Sequence, residues 1–189
     1  DQYPVSIAPE FRARAERMER DYLARVQQID PGQLAGQDLL SYQVFKSARE
    51  REIEGFRFPD YLVPINQFYS APNGFAQLGS GNGMKRIDGF VAWTDQAIVN
   101  MREGVQKGYT LPRVLGERVL PQLQAHIVAN PEDSIFWGPI RKLPASFSDA
   151  DRERLTAVYR AAIETKVVPS YRKLRDYMRD EYLPKTRLS

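Results

Sequence analysis

The chain has 189 residues, of which 42% are hydrophobic and 11% aromatic, so it can bury a core and is not expected to be disordered. Its formal charge is +3, but Lys and Arg alternate with Asp and Glu, which indicates salt-bridged helix faces and argues against a nucleic-acid partner. The absence of cysteine excludes disulfides, thiol chemistry and metal sites built on cysteine.

Two further features concern membrane insertion and the start of the chain. No apolar run approaches the roughly 20 residues that a membrane-spanning helix needs, so no transmembrane segment is predicted. The chain begins at Asp1 and not at Met, and we expect it to start inside a longer precursor. Residues 1–189 are therefore expected to form a single helical lobe of a larger protein.

The first predicted helix follows an extended lead-in, Asp1–Ala8. Helical periodicity begins at Pro9 or Glu10 and stops at Asp30, where a Pro-Gly pair follows. The apolar stripe of this helix consists of Phe11, Ala15, Met18, Tyr22, Leu23 and Val26. The charged residues between these positions predict a solvated opposite face.

The second predicted helix runs from Gly36 or Gln37 to Glu54, and we expect Gly55 to end it in a left-handed conformation. Its apolar stripe is weaker and consists of Leu39 or Leu40, Val44, Ala48 and Ile53. A connector rich in proline, glycine and aromatic residues follows, Phe56–Gly83. We expect it to be held against helices or a partner, because so many aromatic residues would not favour solvent, whereas its glycine-rich end, Gln77–Gly83, is predicted to be mobile.

The third predicted helix spans Met84–Lys107, and Gly108 ends it. Its inward residues are predicted to be Ile87, Phe90, Val91, Thr94, Ala97, Ile98 and Met101. Pro112 opens a fourth helix, in which Pro121 should cause a kink or mark a boundary before Asn130. The inward residues of the fourth helix are predicted to be Val114, Leu115, Val119, Leu120, Leu123 and Ile127.

A second connector rich in aromatic residues and proline, Asp133–Phe147, precedes the longest predicted helix. Ser148 is the expected N-cap, and the apolar period continues to Leu183 before Pro184 ends it. Pro169 should bend this helix because it removes one backbone hydrogen bond. The prediction is an all-α fold, an irregular helical bundle with a long, proline-kinked C-terminal helix and two connectors rich in aromatic residues and proline.

Motifs for catalysis are absent from the sequence. The only histidine is His126, so neither a His-Glu-x-x-His zinc site nor a Ser-His-Asp triad can be built, and no Gly-x-Ser-x-Gly elbow occurs. The glycines of Gly79–Gly83 follow no predicted strand, which indicates a loop and not a phosphate site. No catalytic, cofactor-binding or metal-binding residue is therefore predicted in this chain.

Tyrosines recur along the last helix, which fits either a core stripe with hydroxyls at its rim or the wall of a cleft. If they line a cleft, their hydroxyls could orient a substrate. Trp93 and Trp137 are typical of core or interface anchors. The predicted cleft-lining residues are Tyr171, Tyr177, Tyr182 and Trp137.

Several short motifs together resemble a bacterial family, domain of unknown function 885. The longest is Met101–Arg113, and the others are Leu40–Tyr42, Ile65–Gln67, Val119–Leu123, Pro131–Pro139, Val168–Tyr171 and Tyr182–Pro184. Each motif alone is weak, but their order and spacing cover most of the chain. The resemblance implies a mostly helical protein that is much longer than this chain.

The resemblance also implies a function. Family members carry, in their second half, a His-Glu-x-x-Pro-Gly-His-His-type motif like that of zinc metallopeptidases, and this motif is absent here. This chain is then the N-terminal lobe, with zinc and the catalytic residues in a missing C-terminal half that would be its partner. A peptide substrate and a periplasmic or cell-envelope location, through a secretion or lipoprotein signal, are also implied.

Alternatives exist for the segment at residues 83 and 84 and for the function. The family has an additional stretch where this sequence passes from Gly83 to Met84, so we expect either a deletion or further residues between 83 and 84. The alternative to a peptidase lobe is a non-catalytic helical binding or scaffold module. This alternative predicts a closed core and a discrete contact patch.

Overall fold

The computed structural model describes residues 4–68, 70–77 and 86–188 of the chain. Within these ranges no β-strand forms. An isolated parallel β-bridge pairs Pro112 with Arg187. The predicted all-α class is therefore confirmed. The chain divides into two compact units, a smaller one at Ser6–Asp60 and a larger one that consists of the residues from Tyr61 onward together with Pro4 and Val5.

The smaller unit is a helical hairpin of α1 (Pro9–Val26) and α2 (Gly36–Gly55). A 3-10 turn at Pro31–Gln33 lies between them, and the Asp30 carboxylate accepts a hydrogen bond from the Gly32 amide there. The two helices are antiparallel, since residues early in α1 contact residues late in α2. The hairpin thus follows the predicted helices to within a few residues at each end.

Contacts between α1 and α2 include an ion pair of low exposure. The Arg49 guanidinium lies 2.8 Å from the Glu19 carboxylate, and Glu19 is only 9% exposed. Tyr22 packs its ring edge-on against Phe45, with 6.4 Å between centroids. The hairpin therefore relies on polar and aromatic pairs, and α2 contributes no fully buried residue.

The predicted apolar stripes of the hairpin are wrong in part. Met18 and Tyr22 of α1 are 49% and 41% exposed, and Val44 of α2 is 58% exposed. Two helices alone cannot cover a broad stripe on each other, so these side chains stay at the surface. Gly55 is the last residue of α2, close to the predicted end, but it is not left-handed, whereas Gly36 takes a φ of +53° at the start of this helix.

The larger unit begins with the first connector. A 3-10 turn at Asp60–Leu62 and the short helix α3 (Ala71–Gln77) lie within it. Leu62, Ile65 and Phe75 are each at most 1% exposed, which confirms that this part of the connector is held against helices. The predicted loop Gln77–Gly83 and the expected break between residues 83 and 84 lie outside the described residues, apart from the backbone of Gln77.

The helix α4 (Ile87–Lys107) is the central helix of this unit, and its predicted inward residues are buried or half-buried. Gly108 ends it with a φ of +78°, as predicted. The helix α5 (Arg113–Gln124) follows Pro112 but ends earlier than predicted, because the amides of His126 and Ile127 turn to 3-10 bonding. Val114 was predicted to face inward, yet it is 49% exposed.

The second connector contains two 3-10 turns and the short helix α6 (Gly138–Arg141). The long C-terminal run follows and consists of several segments. They are α7 (Asp149–Ala162), a π-turn (Ile163–Val167), α8 (Val168–Tyr177), a second π-turn (Met178–Tyr182) and a 3-10 turn (Leu183–Lys185). The Ser148 hydroxyl accepts a hydrogen bond from the Asp151 amide, which confirms the predicted N-cap.

The first π-turn explains how Pro169 fits into this run. A proline inside an α-helix clashes with the carbonyl four residues earlier, here that of Thr165. The Val168 amide instead bonds the Ile163 carbonyl, five residues back, which widens the turn just before the proline. The helical run therefore continues through Pro169 without a break.

An aromatic cluster forms the core of the larger unit. Phe75 stacks on Phe90 with 4.2 Å between centroids, and Phe136 and Tyr171 each pack about this pair. The apolar period predicted for the last helix is confirmed from Ile163 to Tyr182, because the residues that recur at steps of three or four there have no exposed surface: Ile163, Val167, Tyr171, Leu174, Met178 and Tyr182. The core thus joins α3, α4 and the C-terminal run.

Candidate functional site

A groove of about 600 Å³ lies between α4 and the C-terminal run of the larger unit. This volume lies within the range of small-ligand sites in proteins, roughly 300–1,000 Å³. We name it the α4–α8 groove. It is lined by Asp95, Ile98, Val99, Arg102, Lys173, Asp176, Tyr177, Asp180 and Glu181.

Helical spacing explains why these residues line one surface. Asp95, Val99 and Arg102 recur at intervals of four and three along α4, so they lie on one face. Lys173 and Tyr177 are four residues apart in α8, and Glu181 continues the same line into the second π-turn. The groove is therefore formed where two helical faces with charged margins meet.

Ion pairs cross the groove at two levels. Lys173 Nζ lies 2.5 Å from an oxygen of Asp95, and both side chains are more than half exposed. The Arg102 guanidinium donates three hydrogen bonds to the two oxygens of Glu181, at 2.8 to 3.1 Å. These pairs connect α4 to the C-terminal run. They also place charges of both signs around the groove.

The electrostatics of the second pair follow from these hydrogen bonds. The bond from Arg102 holds the pKa of the Glu181 carboxyl below its usual range, and the same contact raises the pKa of Arg102. Next to it, hydrogen bonding from Arg179 lowers the pKa of Asp180. Asp180 and Glu181 at the groove margin therefore stay ionised even in mildly acidic solution.

Tyr177, one of the predicted cleft-lining residues, forms an aromatic part of the groove wall. Its ring is 5% exposed, lies under the Arg102 guanidinium at 5.3 Å and packs beside Tyr182. Burial raises the pKa of its hydroxyl strongly, so the phenol stays protonated. Within the described residues this hydroxyl makes no hydrogen bond, which leaves a donor available beside the groove.

The structure places the other predicted cleft residues in the core. The Tyr171 hydroxyl donates to the Pro72 carbonyl at 2.8 Å, and the Tyr182 hydroxyl accepts from the Leu111 amide at 2.9 Å. Both side chains have no exposed surface. These two tyrosines correspond to the core interpretation of the stripe, and any role of theirs toward a substrate stays a prediction.

Trp137 lies apart from the groove. It is 6% exposed, and the Arg160 guanidinium covers its ring at 5.2 Å while pairing with Glu132. This arrangement is a cation–π contact that anchors the second connector to α7. The structure therefore brings Tyr177 to the groove and leaves Trp137, Tyr171 and Tyr182 away from its lining.

The charged residues of the groove were not identified from the sequence. Asp95, Arg102, Lys173 and Glu181 look like ordinary residues of solvated helix faces when each helix is considered alone. Their shared spacing of three and four was a usable signal within each helix. The sequence does not show that the two faces, about 80 residues apart along the chain, would meet.

His126 packs against aromatic rings. It lies just after the end of α5, packs against Tyr171 in a tilted arrangement with 4.6 Å between ring centroids, and approaches Phe136 at 6.4 Å. Burial lowers its pKa. No three His, Asp or Glu side chains converge as metal ligands in the described part of the chain. The residues described here therefore do not fit a zinc site.

The comparisons with known proteins concern the whole chain. The model of the family described as "Bacterial protein of unknown function (DUF885)" matches residues 1–189. No curated protein and no solved structure matches the chain. Among the described helices, none combines the length and the apolar character that crossing a bilayer requires. The chain belongs to the bacterial DUF885 family.

Proposed function

We propose that this chain is the helical, peptide-binding lobe of a zinc-dependent peptidase-like protein, and that the α4–α8 groove binds the peptide. The observation that carries the proposal is the lining of the groove, in which charges of both signs accompany the apolar residues Ile98 and Val99. A peptide presents the same mixture, since its amide backbone and charged groups alternate with apolar side chains.

The ion pairs at the groove margin are suited to exchange. Lys173 and Asp95 are 57% and 53% exposed, and exposed pairs contribute little to stability. A charged group of a peptide can therefore replace one partner without a large loss. The free hydroxyl of Tyr177 would then donate to a peptide carbonyl, since its raised pKa keeps the proton on oxygen.

Chemistry is proposed to come from outside this chain. The residues described here do not fit a zinc site, and the family resemblance implies a zinc motif in a C-terminal half. The lobe would bind and orient the substrate, and a periplasmic or cell-envelope location belongs to the same proposal.

A binding experiment tests the role of the groove. Short peptides of mixed charge, Lys-Ala-Glu and Glu-Ala-Lys, would be titrated into the chain while backbone amide shifts are followed by NMR. We expect the largest shifts at α4 and α8. Val99→Trp should fill the groove and abolish them, whereas Val158→Trp, at a similarly exposed site on α7, should not. Shifts that ignore Val99→Trp would refute the groove as the binding site.

A second experiment separates the peptidase proposal from the alternative, a non-catalytic binding module. The full-length protein would be assayed for zinc content and for peptide hydrolysis, with and without a chelator. Hydrolysis that needs zinc and is weakened by Val99→Trp is the expected result. Peptide binding without hydrolysis by the full-length protein would favour the binding module.

A further inference from the structure

One surface of the smaller unit carries several apolar and cationic side chains that stay exposed to solvent. A groove of about 430 Å³ runs along α1 and is lined by Arg14, Arg17, Met18, Asp21, Tyr22 and Arg25. Phe45 of α2 extends it, because its ring contacts that of Tyr22. We name the groove and Phe45 together the α1 surface.

The apolar part of the α1 surface is exposed. Met18, Tyr22 and Phe45 retain 49%, 41% and 42% of their accessible surface. Met18 and Tyr22 are four residues apart and so lie on one side of α1, and the edge-on contact brings Phe45 to the same side. Tyrosine, phenylalanine and methionine are among the side chains that are enriched in protein interfaces.

Arginines surround these apolar residues. The Arg25 guanidinium lies 5.9 Å from the Tyr22 ring centroid, and that of Arg49 lies 5.1 Å from the Phe45 centroid. Arginine stacked on an aromatic ring is held in place and still presents its N–H groups at the ring edge. The α1 surface thus has aromatic anchors with donors fixed beside them.

The charge balance of the α1 surface is cationic. Arg12 and Arg20 of α1 are paired with Asp60 and Glu16. By contrast, Arg14, Arg17 and Arg25 form no ion pair with any described residue, and Asp21 is the carboxylate that lines the groove with them. Three guanidiniums beside one carboxylate attract an anionic group that approaches the groove.

This charge decides between the possible occupants. A second copy that docked through the same surface in a two-fold arrangement would place these arginines against their own counterparts. We infer that the α1 surface binds an acidic amphipathic segment of a partner protein, whose apolar side chains pack on Met18, Tyr22 and Phe45 while its carboxylates pair with Arg14, Arg17 and Arg25. This inference is independent of the function proposed for the α4–α8 groove.

The test uses two designed helical peptides that differ only in charge. Each carries Leu and Phe along one face, flanked by Glu in one peptide and by Lys in the other, and binding to the 189-residue chain is measured by calorimetry. We expect saturable binding of the Glu peptide that weakens as salt is raised. We expect no binding of the Lys peptide.

Charge reversal supplies the matched variants. Arg17→Glu combined with Arg25→Glu should weaken binding of the Glu peptide by about tenfold or more and should create binding of the Lys peptide. Arg51→Glu is the control, because Arg51 is exposed on the same hairpin about 160° around α2 from Arg49. It should change neither affinity by more than about twofold.

Truncation of the apolar anchors tests the other half of the inference. Tyr22→Ala should abolish binding of the Glu peptide, whereas Val44→Ala, at a more exposed apolar site on α2, should leave it intact. Circular dichroism establishes that each variant keeps its helices. The inference is overturned by failure of the parent chain to bind the Glu peptide, by equal binding of both peptides, or by binding of phosphatidylglycerol vesicles without binding of the Glu peptide.

Discussion

The hydroxyl of Tyr182 accepts a hydrogen bond from the amide of Leu111 at 2.9 Å, and both residues are buried. This contact joins the turn after α4 to the second π-turn of the C-terminal run. The Arg113 amide adds a bond to the Arg187 carbonyl, also at 2.9 Å. The end of the chain thus secures the corner at Met101–Arg113, which contains the longest family motif.

The first prediction concerns this hydrogen bond. Tyr182→Phe keeps the ring but leaves the buried Leu111 amide without its acceptor, so we expect a loss of about 1–3 kcal/mol in the free energy of unfolding. Urea denaturation followed by circular dichroism would measure it. Tyr109→Phe is the matched control, because Tyr109 is 49% exposed, and its change should be close to zero. A loss in the control as large as that in Tyr182→Phe would contradict this account.

A second prediction concerns Gly104, within the same motif. A Cβ added there would lie 2.8 Å from the carbonyl oxygens of both Leu62 and Tyr109, and neither backbone oxygen can move freely. Gly104→Ala should therefore destabilise the protein by about 1–3 kcal/mol or more. Thermal unfolding would detect the change. Gly138→Ala, at a helical position with no atom within 4 Å of the added Cβ, should be neutral or slightly stabilising.

The third prediction concerns pH. Because burial lowers the pKa of His126 in the folded chain, the unfolded chain binds a proton more readily. Stability should therefore be complete above the unfolded pKa of about 6.5 and should fall as pH drops below it, until the folded pKa is passed. His126→Phe keeps an aromatic ring against Tyr171 and should remove this slope. Since His126 is the only histidine, an unchanged slope in the variant would exclude this explanation.

A fourth prediction concerns the Arg102–Glu181 pair. Arg102→Gln removes the charge and the fork of donors, so the pKa of the Glu181 carboxyl should rise toward its ordinary value. An NMR titration of the carboxyl carbon would measure this shift. The stability of the fold should hardly change, because both side chains are about half exposed. Arg118→Gln, on α5, serves as the control and should leave the Glu181 titration unchanged.

The comparison of sequence and structure separates local from non-local information. Glycine at a helix end and serine at an N-cap act within a few residues, and Gly108 and Ser148 were accordingly predicted correctly. The inward face of α4 was also correct, because its apolar residues recur strictly at helical spacing and face the C-terminal run, while Asp95, Val99 and Arg102 stay exposed. Gly55 was predicted as a cap because glycine is permissive, yet it continues α2.

The candidate site was harder to predict for the same reason. Tyr177 and Tyr171 have the same residue type and lie on the same helix, but only one of them borders a groove. Which one does so depends on the path of α4 and on the buried carbonyl of Pro72, which accepts the hydrogen bond of the Tyr171 hydroxyl. The spacing of apolar residues along the last helix determines neither the path of α4 nor the position of this carbonyl.

The π-turn at Ile163–Val167 has a consequence for the whole C-terminal run. Removing one residue from this turn would convert it toward a regular α-helix and rotate every later side chain by about 100°. Lys173 would then leave Asp95, and Glu181 would leave Arg102. The spacing of residues within this turn, and not their chemistry, therefore sets the alignment of the two faces that form the α4–α8 groove.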